Sequence, residues 1–175
     1  MTEVEMRTVA VLPVLSLMPL ALIAAAPLSA PGGAESMLPM LPLLGIHFWS
    51  SRRPEMMPAL FVFGLGLLFD LVTDGPVGYW AMLNLIAGSM GGLSARLREA
   101  AMGPAARVVL FSATVVVITI IAWLIASLYM LAPQPLLPML WGALFAFICY
   151  LPMRVMLGQI DIIVSGRPQE RSGSA

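Results

Sequence analysis

The stretch RLREAAMGPAAR (Arg96–Arg107), followed by VVLFSATVVVITIIAWLIASLYML (Val108–Leu131), decides how this chain must be read. The second part runs for 24 residues without a charge, a glycine or a proline. At 1.5 Å per residue that makes about 36 Å of helix, enough to cross a ~30 Å hydrocarbon layer. The first part sets three arginines against one acid directly beside it. Working outward, the same pairing recurs: the chain has nine arginines and no lysine, and every arginine lies between apolar stretches or beside their ends. Of 175 residues 60% are apolar and only 10% charged, and the mean hydropathy is +0.95. A soluble domain carries about a quarter charged residues, so this composition cannot build a water-facing surface. The expected fold class is an all-α polytopic membrane protein.

Six spans are expected, at about 8–28, 36–50, 56–73, 77–95, 108–131 and 136–157. Their gaps, around Pro31-Gly32-Gly33, Ser51-Arg52-Arg53-Pro54, Asp74-Gly75-Pro76, Arg96–Arg107 and Pro133-Gln134-Pro135, carry breakers or charge. The apolar runs are continuous rather than alternating, which favours helices over barrel strands. Arg7, then Arg52 and Arg53, then Arg96, Arg98 and Arg107, then Arg154, Arg167 and Arg171 all fall on one side of such a bundle. The positive-inside rule makes that side cytoplasmic, with both termini there. The first span reads as a retained helix rather than a signal peptide, because Glu3 and Glu5 precede it and its apolar run exceeds the usual length. The second is the shortest: about 16 residues separate Glu35 from Arg52, and Pro39 and Pro42 lie in its first half. A re-entrant segment there would invert everything downstream, so a short crossing is preferred. Trp49, Tyr79, Trp80 and Tyr129 occupy interfacial belt positions, while Trp123 is expected to pack against another helix. The segment 158–175 is read as a cytoplasmic tail with a disordered end.

Asp70 is the one ionisable residue set clearly inside a span, roughly 7 Å from the outer end of the third helix. A helix C-terminus disfavours a carboxylate, and every arginine lies at the other face. The candidate partners are the free N–H groups around Val77 to Tyr79 and the amide of Asn84. Two roles are open for it: a lock on the hairpin of spans three and four, or contact with a partner or ligand. Gly88 and Gly92, with Ala87 and Gly91 at the same spacing, form a small-residue face suited to close helix packing. Gly64 and Gly66 are candidates to receive it, and a partner's helix is the alternative. His47 stands alone near the inner end of span two and reads as a headgroup-level histidine. Ser89 would need that histidine as its base to act as a nucleophile. Neutral net charge gives no sign of nucleic-acid binding. The single cysteine, Cys149, allows no internal disulfide and no thiolate metal cluster. No catalytic, metal or cofactor site is expected.

Residues Phe48-Trp49-Ser50-Ser51-Arg52-Arg53-Pro54-Glu55-Met56-Met57-Pro58 lead into Gly64-Leu65-Gly66-Leu67-Leu68-Phe69-Asp70-Leu71, and then Gly75-Pro76-Val77-Gly78. This resembles the bacterial rod shape-determining MreD family over residues 48–84: an arginine–proline step, a Gly-Leu-Leu-x-Asp-Leu run and a Pro-x-Gly turn. The resemblance implies a non-enzymatic inner-membrane subunit of the cell-elongation machinery. Its partners would be the bitopic MreC, the actin-like MreB and the elongation glycosyltransferase and transpeptidase. Asp70, Pro76 and Gly78 occupy the family's motif positions. The basic segment Arg96–Arg107 is the candidate contact for a cytoplasmic partner or for anionic membrane lipids. The family is thought to share its fold with the substrate-binding subunits of energy-coupling-factor vitamin transporters, which supplies the alternative function. Ala21 and Ala25 in the first span have the docking spacing of such subunits.

Overall fold

The computed structural model describes residues 13, 15–24, 40–73, 76–99 and 104–165. Among them the chain is all helical. The helices are α1 (Leu15–Ala24), then α2 (Met40–Arg52), α3 (Ala59–Val72), α4 (Tyr79–Glu99), α5 (Pro104–Tyr129) and α6 (Leu136–Ser165), with a turn of 3-10 helix at Pro54–Met56. Prolines place several of the starts. Pro104 opens α5, where a missing N–H costs nothing, and Pro58 holds the extended residue before α3. Arg7, Pro31–Gly33, Asp74, Gly75, Arg167, Arg171 and the expected disordered end lie outside the described residues.

The shortest expected span turns out to be the centre of the molecule. Every residue of α2 from Pro42 to Ser50 is buried, with α4 along one side and α6 along another. Leu17 and Leu20 of α1 pack over Gly45. At 13 residues, or about 20 Å, α2 falls short of the hydrocarbon thickness, but protein surrounds it. Trp49 departs from its expected belt position. It is 1% exposed and donates its indole N–H to Ser16 Oγ of α1 at 2.8 Å. An indole whose N–H has a partner can be buried whole.

Two glycines of the expected small-residue set, Gly66 and Gly91, set the helix crossings, while Gly88 and Gly92 do not. A methyl at Gly66 would overlap the backbone of Ala81, so α3 and α4 touch main chain to main chain there. A methyl at Gly91 would lie 2.7 Å from both His47 O and Ser50 Cβ, which fixes the α2–α4 crossing. Gly88 has only ordinary contacts, and Gly64 and Gly92 face nothing within 4 Å. The reason is rotational: residues 88 and 92 lie on the edge of the α4 face whose centre is Gly91.

Two helical stretches, Val108–Tyr129 and Leu136–Ile162, are long and apolar enough to cross a membrane. Only 28% and 17% of their most apolar windows are buried. Phe111, Val115, Ile118 and Ala122 turn inward from α5, while Val109, Val116, Ile120, Leu124 and Leu128 are exposed. On α6, Leu137, Leu144, Ile148, Leu151 and Val155 are likewise exposed. The turn between these helices is pinned by Trp123, whose indole donates to Gln134 O at 2.9 Å, and by Leu131 at φ 52°. Trp123 thus holds a loop rather than only packing on a neighbour.

Two boundaries differ from expectation. The Arg96–Arg107 segment is mostly helix end: α4 runs to Glu99 and α5 begins at Pro104. And α6 continues to Ser165, so 158–165 is helix rather than tail. Met153, Leu157 and Ile160 keep one apolar face against the core through that extension.

The crossing geometry gives opposite expectations for two neighbouring glycines. Gly66→Ala gains ~1 kcal/mol of helix propensity but forces α3 off α4, for a net loss of about 1–3 kcal/mol. Gly64→Ala keeps the gain alone. Thermal melting of the two purified variants in detergent should move in opposite directions.

Candidate functional site

The hairpin of α3 and α4 is built around one carboxylate. Asp70 is 1% exposed and lies near the C-terminal end of α3. Its Oδ2 accepts from the Gly78 N–H at 2.8 Å and the Ala81 N–H at 3.4 Å. Its Oδ1 accepts from the Trp80 N–H at 2.7 Å. These are among the orphan donors that every helix start leaves unpaired. A residue at the N-cap normally satisfies them with its own side chain; here Gly78 has none, and the acid comes from the neighbouring helix. The positive end of the α4 dipole favours the charge that the end of α3 disfavours.

The turn between them is shaped to allow this. Gly78 adopts φ +96°, which only glycine takes without strain. Tyr79 N–H bonds Pro76 O at 3.0 Å and Met82 N–H bonds Gly78 O at 3.0 Å, so α4 begins at once. Phe69 and Trp80, the neighbours in sequence of Asp70 and of Ala81, meet edge to face at 5.2 Å across the hairpin. The amides that reach it are that of Gly78, within the expected Val77–Tyr79, and those of Trp80 and Ala81 just beyond it. Asn84 is buried one turn further along α4 and does not bond Asp70.

The opposite end of the bundle carries Arg52, Arg53 and Arg154. Arg53 Nε donates to Asp161 Oδ1 at 2.9 Å, and Arg52 Nη1 lies 3.7 Å from Asp161 Oδ2. Arg52 also sits 5.7 Å over the Phe48 ring. Pro54 follows as the first residue of the 3-10 turn. Asp161 lies in the stretch from 158 that the sequence reads as tail, and it is helix in the structure. The signal that finds it is Met153, Leu157 and Ile160, which continue the helical stripe past Gly158 and turn Asp161 toward α2. A polar-lined cleft between α2, α4 and α6 brings Arg52, Ser94 and Arg154 together at this end. The other end holds a second cleft, bordered by Met40, Tyr79, Trp80, Thr119 and Gln134. Arg52, Arg53 and Arg154 and the Asp70 lock therefore occupy opposite ends of the bundle.

His47 is not at the edge. It is 4% exposed, edge-on to Phe111 at 5.5 Å, and its Nδ1 has no hydrogen-bond partner. Burial follows from its place on the central helix. Ser89 lies instead along a groove with Ser50, Gly88 and Gly92, and no hydrogen bond joins it to His47. Gly88 and Gly92 do not meet Gly64 or Gly66. Among the described residues, no three His, Cys, Asp or Glu side chains gather in a metal-binding group.

No family model, curated protein or solved structure matches this chain.

The geometry ranks three substitutions. Asp70→Ala strips three amides of their acceptor and should cost at least ~2 kcal/mol. Asp70→Asn retains one oxygen and should cost less, and Asp74→Ala least; abundance in membranes and melting in detergent read the order. At the other end, a double-mutant cycle on Arg53 and Asp161 should give a coupling of about 0.5–1 kcal/mol, because the pair is only partly buried.

Proposed function

We propose that this chain is a non-enzymatic subunit of the bacterial cell-elongation complex in the inner membrane. In this reading it crosses the membrane six times, with both termini cytoplasmic, and supports rod shape and lateral peptidoglycan synthesis together with MreC, MreB and the elongation glycosyltransferase and transpeptidase. The observation that carries the reading is what the MreD-like residues do. Arg53 anchors α2 to α6, Pro54 opens the 3-10 turn, Gly66 allows α3 to meet α4, and Asp70 and Gly78 close the hairpin. These five positions serve internal assembly, which suits a scaffold, while Leu68 and Leu71 of the same run stay exposed. The six-span topology draws support from the grouping of the arginine-bearing ends of α2, α4 and α6. It draws further support from the exposed apolar flanks of α3, α5 and α6, which need lipid or protein cover.

A second reading, a membrane-embedded subunit that captures a small molecule for a vitamin transporter, has one observation in its favour. The cleft at the Asp70 end is open and has a cavity volume of about 250 Å³, close to the ~300 Å³ lower end of small-molecule sites. Its lining is largely apolar, with Tyr79, Trp80, Thr119 and Gln134 as the polar exceptions.

Depletion in the native host separates the two. Rounded cells with dispersed wall synthesis, restored by the intact gene but poorly by Asp70→Ala, are the outcome expected of the scaffold. Normal shape together with lost vitamin uptake would replace it with the transporter subunit.

A further inference from the structure

One buried hydroxyl has no partner within the molecule. Ser50 is 3% exposed, and its Oγ makes no hydrogen bond. Ser94, Ser112, Thr114 and Thr119 each donate to the carbonyl four residues back, at 2.7–2.9 Å, the usual outlet for a hydroxyl on a helix. Ser50 instead borders the space of a missing side chain: a methyl at Gly88 would stand 3.6 Å from its Oγ. That space belongs to a groove of about 190 Å³ on the flank of the bundle, between α4 and the start of α3. Gly92, one turn further along α4, leaves the groove open, with nothing within 4 Å of its own missing side chain. From Gly92 past Gly88 to Leu85 the groove follows α4 for about 10 Å. Val62 and Leu85 line it away from the arginine end. Leu60 and Leu93, next in sequence to the groove residues Ala59 and Gly92, are exposed.

We propose that this groove seats one acyl chain of a membrane glycerophospholipid. The glycerol lies over Gly92, the ester carbonyl accepts the Ser50 hydroxyl, and the first methylenes run past Gly88 toward Val62 and Leu85. An orphan donor in an apolar surrounding is costly, and an ester carbonyl removes that cost. Depth points to the ester. In the membrane placement proposed above, Arg52 marks the headgroup layer. Ser50 lies two residues, about 3 Å, inward of it, where lipid esters meet the hydrocarbon. The carbonyls of another transmembrane helix are poorer acceptors, because they already take their own helix's amides. Charge at the mouth selects no headgroup: Glu55 follows Pro54, and Arg96 lies one turn past Gly92, both exposed and of opposite sign. The chemistry recognised is therefore the ester and its chain. The inference rests on that membrane placement and is independent of the role in cell elongation.

The test uses the full chain, purified in a neutral detergent and stripped of lipid. Membrane placement is checked first: recovery in alkali-washed membranes is expected, and a soluble chain would overturn both that placement and this site. A membrane-borne chain that fails the lipid test loses only the site. Retention is then measured by native mass spectrometry with an equimolar mixture of phosphatidylcholines of equal chain length, one ester-linked and one ether-linked. The wild type should retain the ester lipid about fivefold over the ether lipid, the factor that one net hydrogen bond carries. Ser50→Ala should abolish that preference and leave retention of the ether lipid unchanged. Gly92→Leu fills the groove from open space and should lose retention of both lipids. Melting without lipid checks that the variants are folded; if Ser50→Ala is not, Gly92→Leu carries the test. Equal retention of the two lipids by the wild type, a preference that survives Ser50→Ala, or undiminished retention in Gly92→Leu would overturn the proposal. Disulfide-linked pairs of a Ser89→Cys, Cys149→Ser chain in membranes would give the groove to a second copy and overturn the lipid assignment.

Discussion

A buried carboxylate held by backbone amides is the constraint from which the rest of this molecule follows. Among the described residues no arginine lies at the Asp70 end of the bundle, and the carboxylate is satisfied by main chain, the first amides of α4. To present them, the chain must reverse within a few residues of α3's end, and Gly78 supplies the positive φ that the reversal needs. Once reversed, α4 runs back along α3 and touches its main chain at Gly66. Its far half then meets α2 at Gly91. One acid, one turn and two glycines thus set three helices, and α1, α5 and α6 close around α2.

Charge is sorted along the same axis. In an apolar surrounding an unpaired ion is costly, and the chain meets this differently at its two ends. At one, a carboxylate is held by helix amides. At the other, arginines pair with Asp161 or reach the cleft beside Tyr150. The middle of the described bundle carries neutral side chains such as His47, Ser50, Asn84 and Thr114 as its buried polar groups. This segregation suits the membrane placement proposed above, and the long apolar flanks of α5 and α6 stand exposed along the same axis.

Local patterns were readable from the sequence, and contacts between distant segments were not. The apolar runs, the Pro–x–Gly turn and the need of Asp70 for α4 amides all arise from residues within about a dozen positions of one another. Gly88 and Gly92 have the spacing for close packing, but spacing within one helix does not say which face its neighbour meets; the neighbour meets Gly91. Trp49 looked like a belt residue because a Trp near a helix end usually is one. Its indole is buried through Ser16, 33 residues earlier. Asp161 was hidden by Gly158, taken as a helix end although the apolar stripe continues beyond it. His47, placed at the edge by its sequence position, is buried because α2 is enclosed on every side.

The central claim is that the Asp70 lock and the arginines face opposite sides of a membrane. It is tested most directly by accessibility of single cysteines in a Cys149→Ser background, using a membrane-impermeant maleimide on intact cells. Val77, exposed beside the lock, and Gln134 in the α5–α6 turn are the probes for one face; Glu55 and Arg96, both exposed, are the probes for the other. The account predicts labelling at positions 77 and 134 in intact cells, and at 55 and 96 only after permeabilisation. Labelling of positions 77 and 96 from the same side would contradict it.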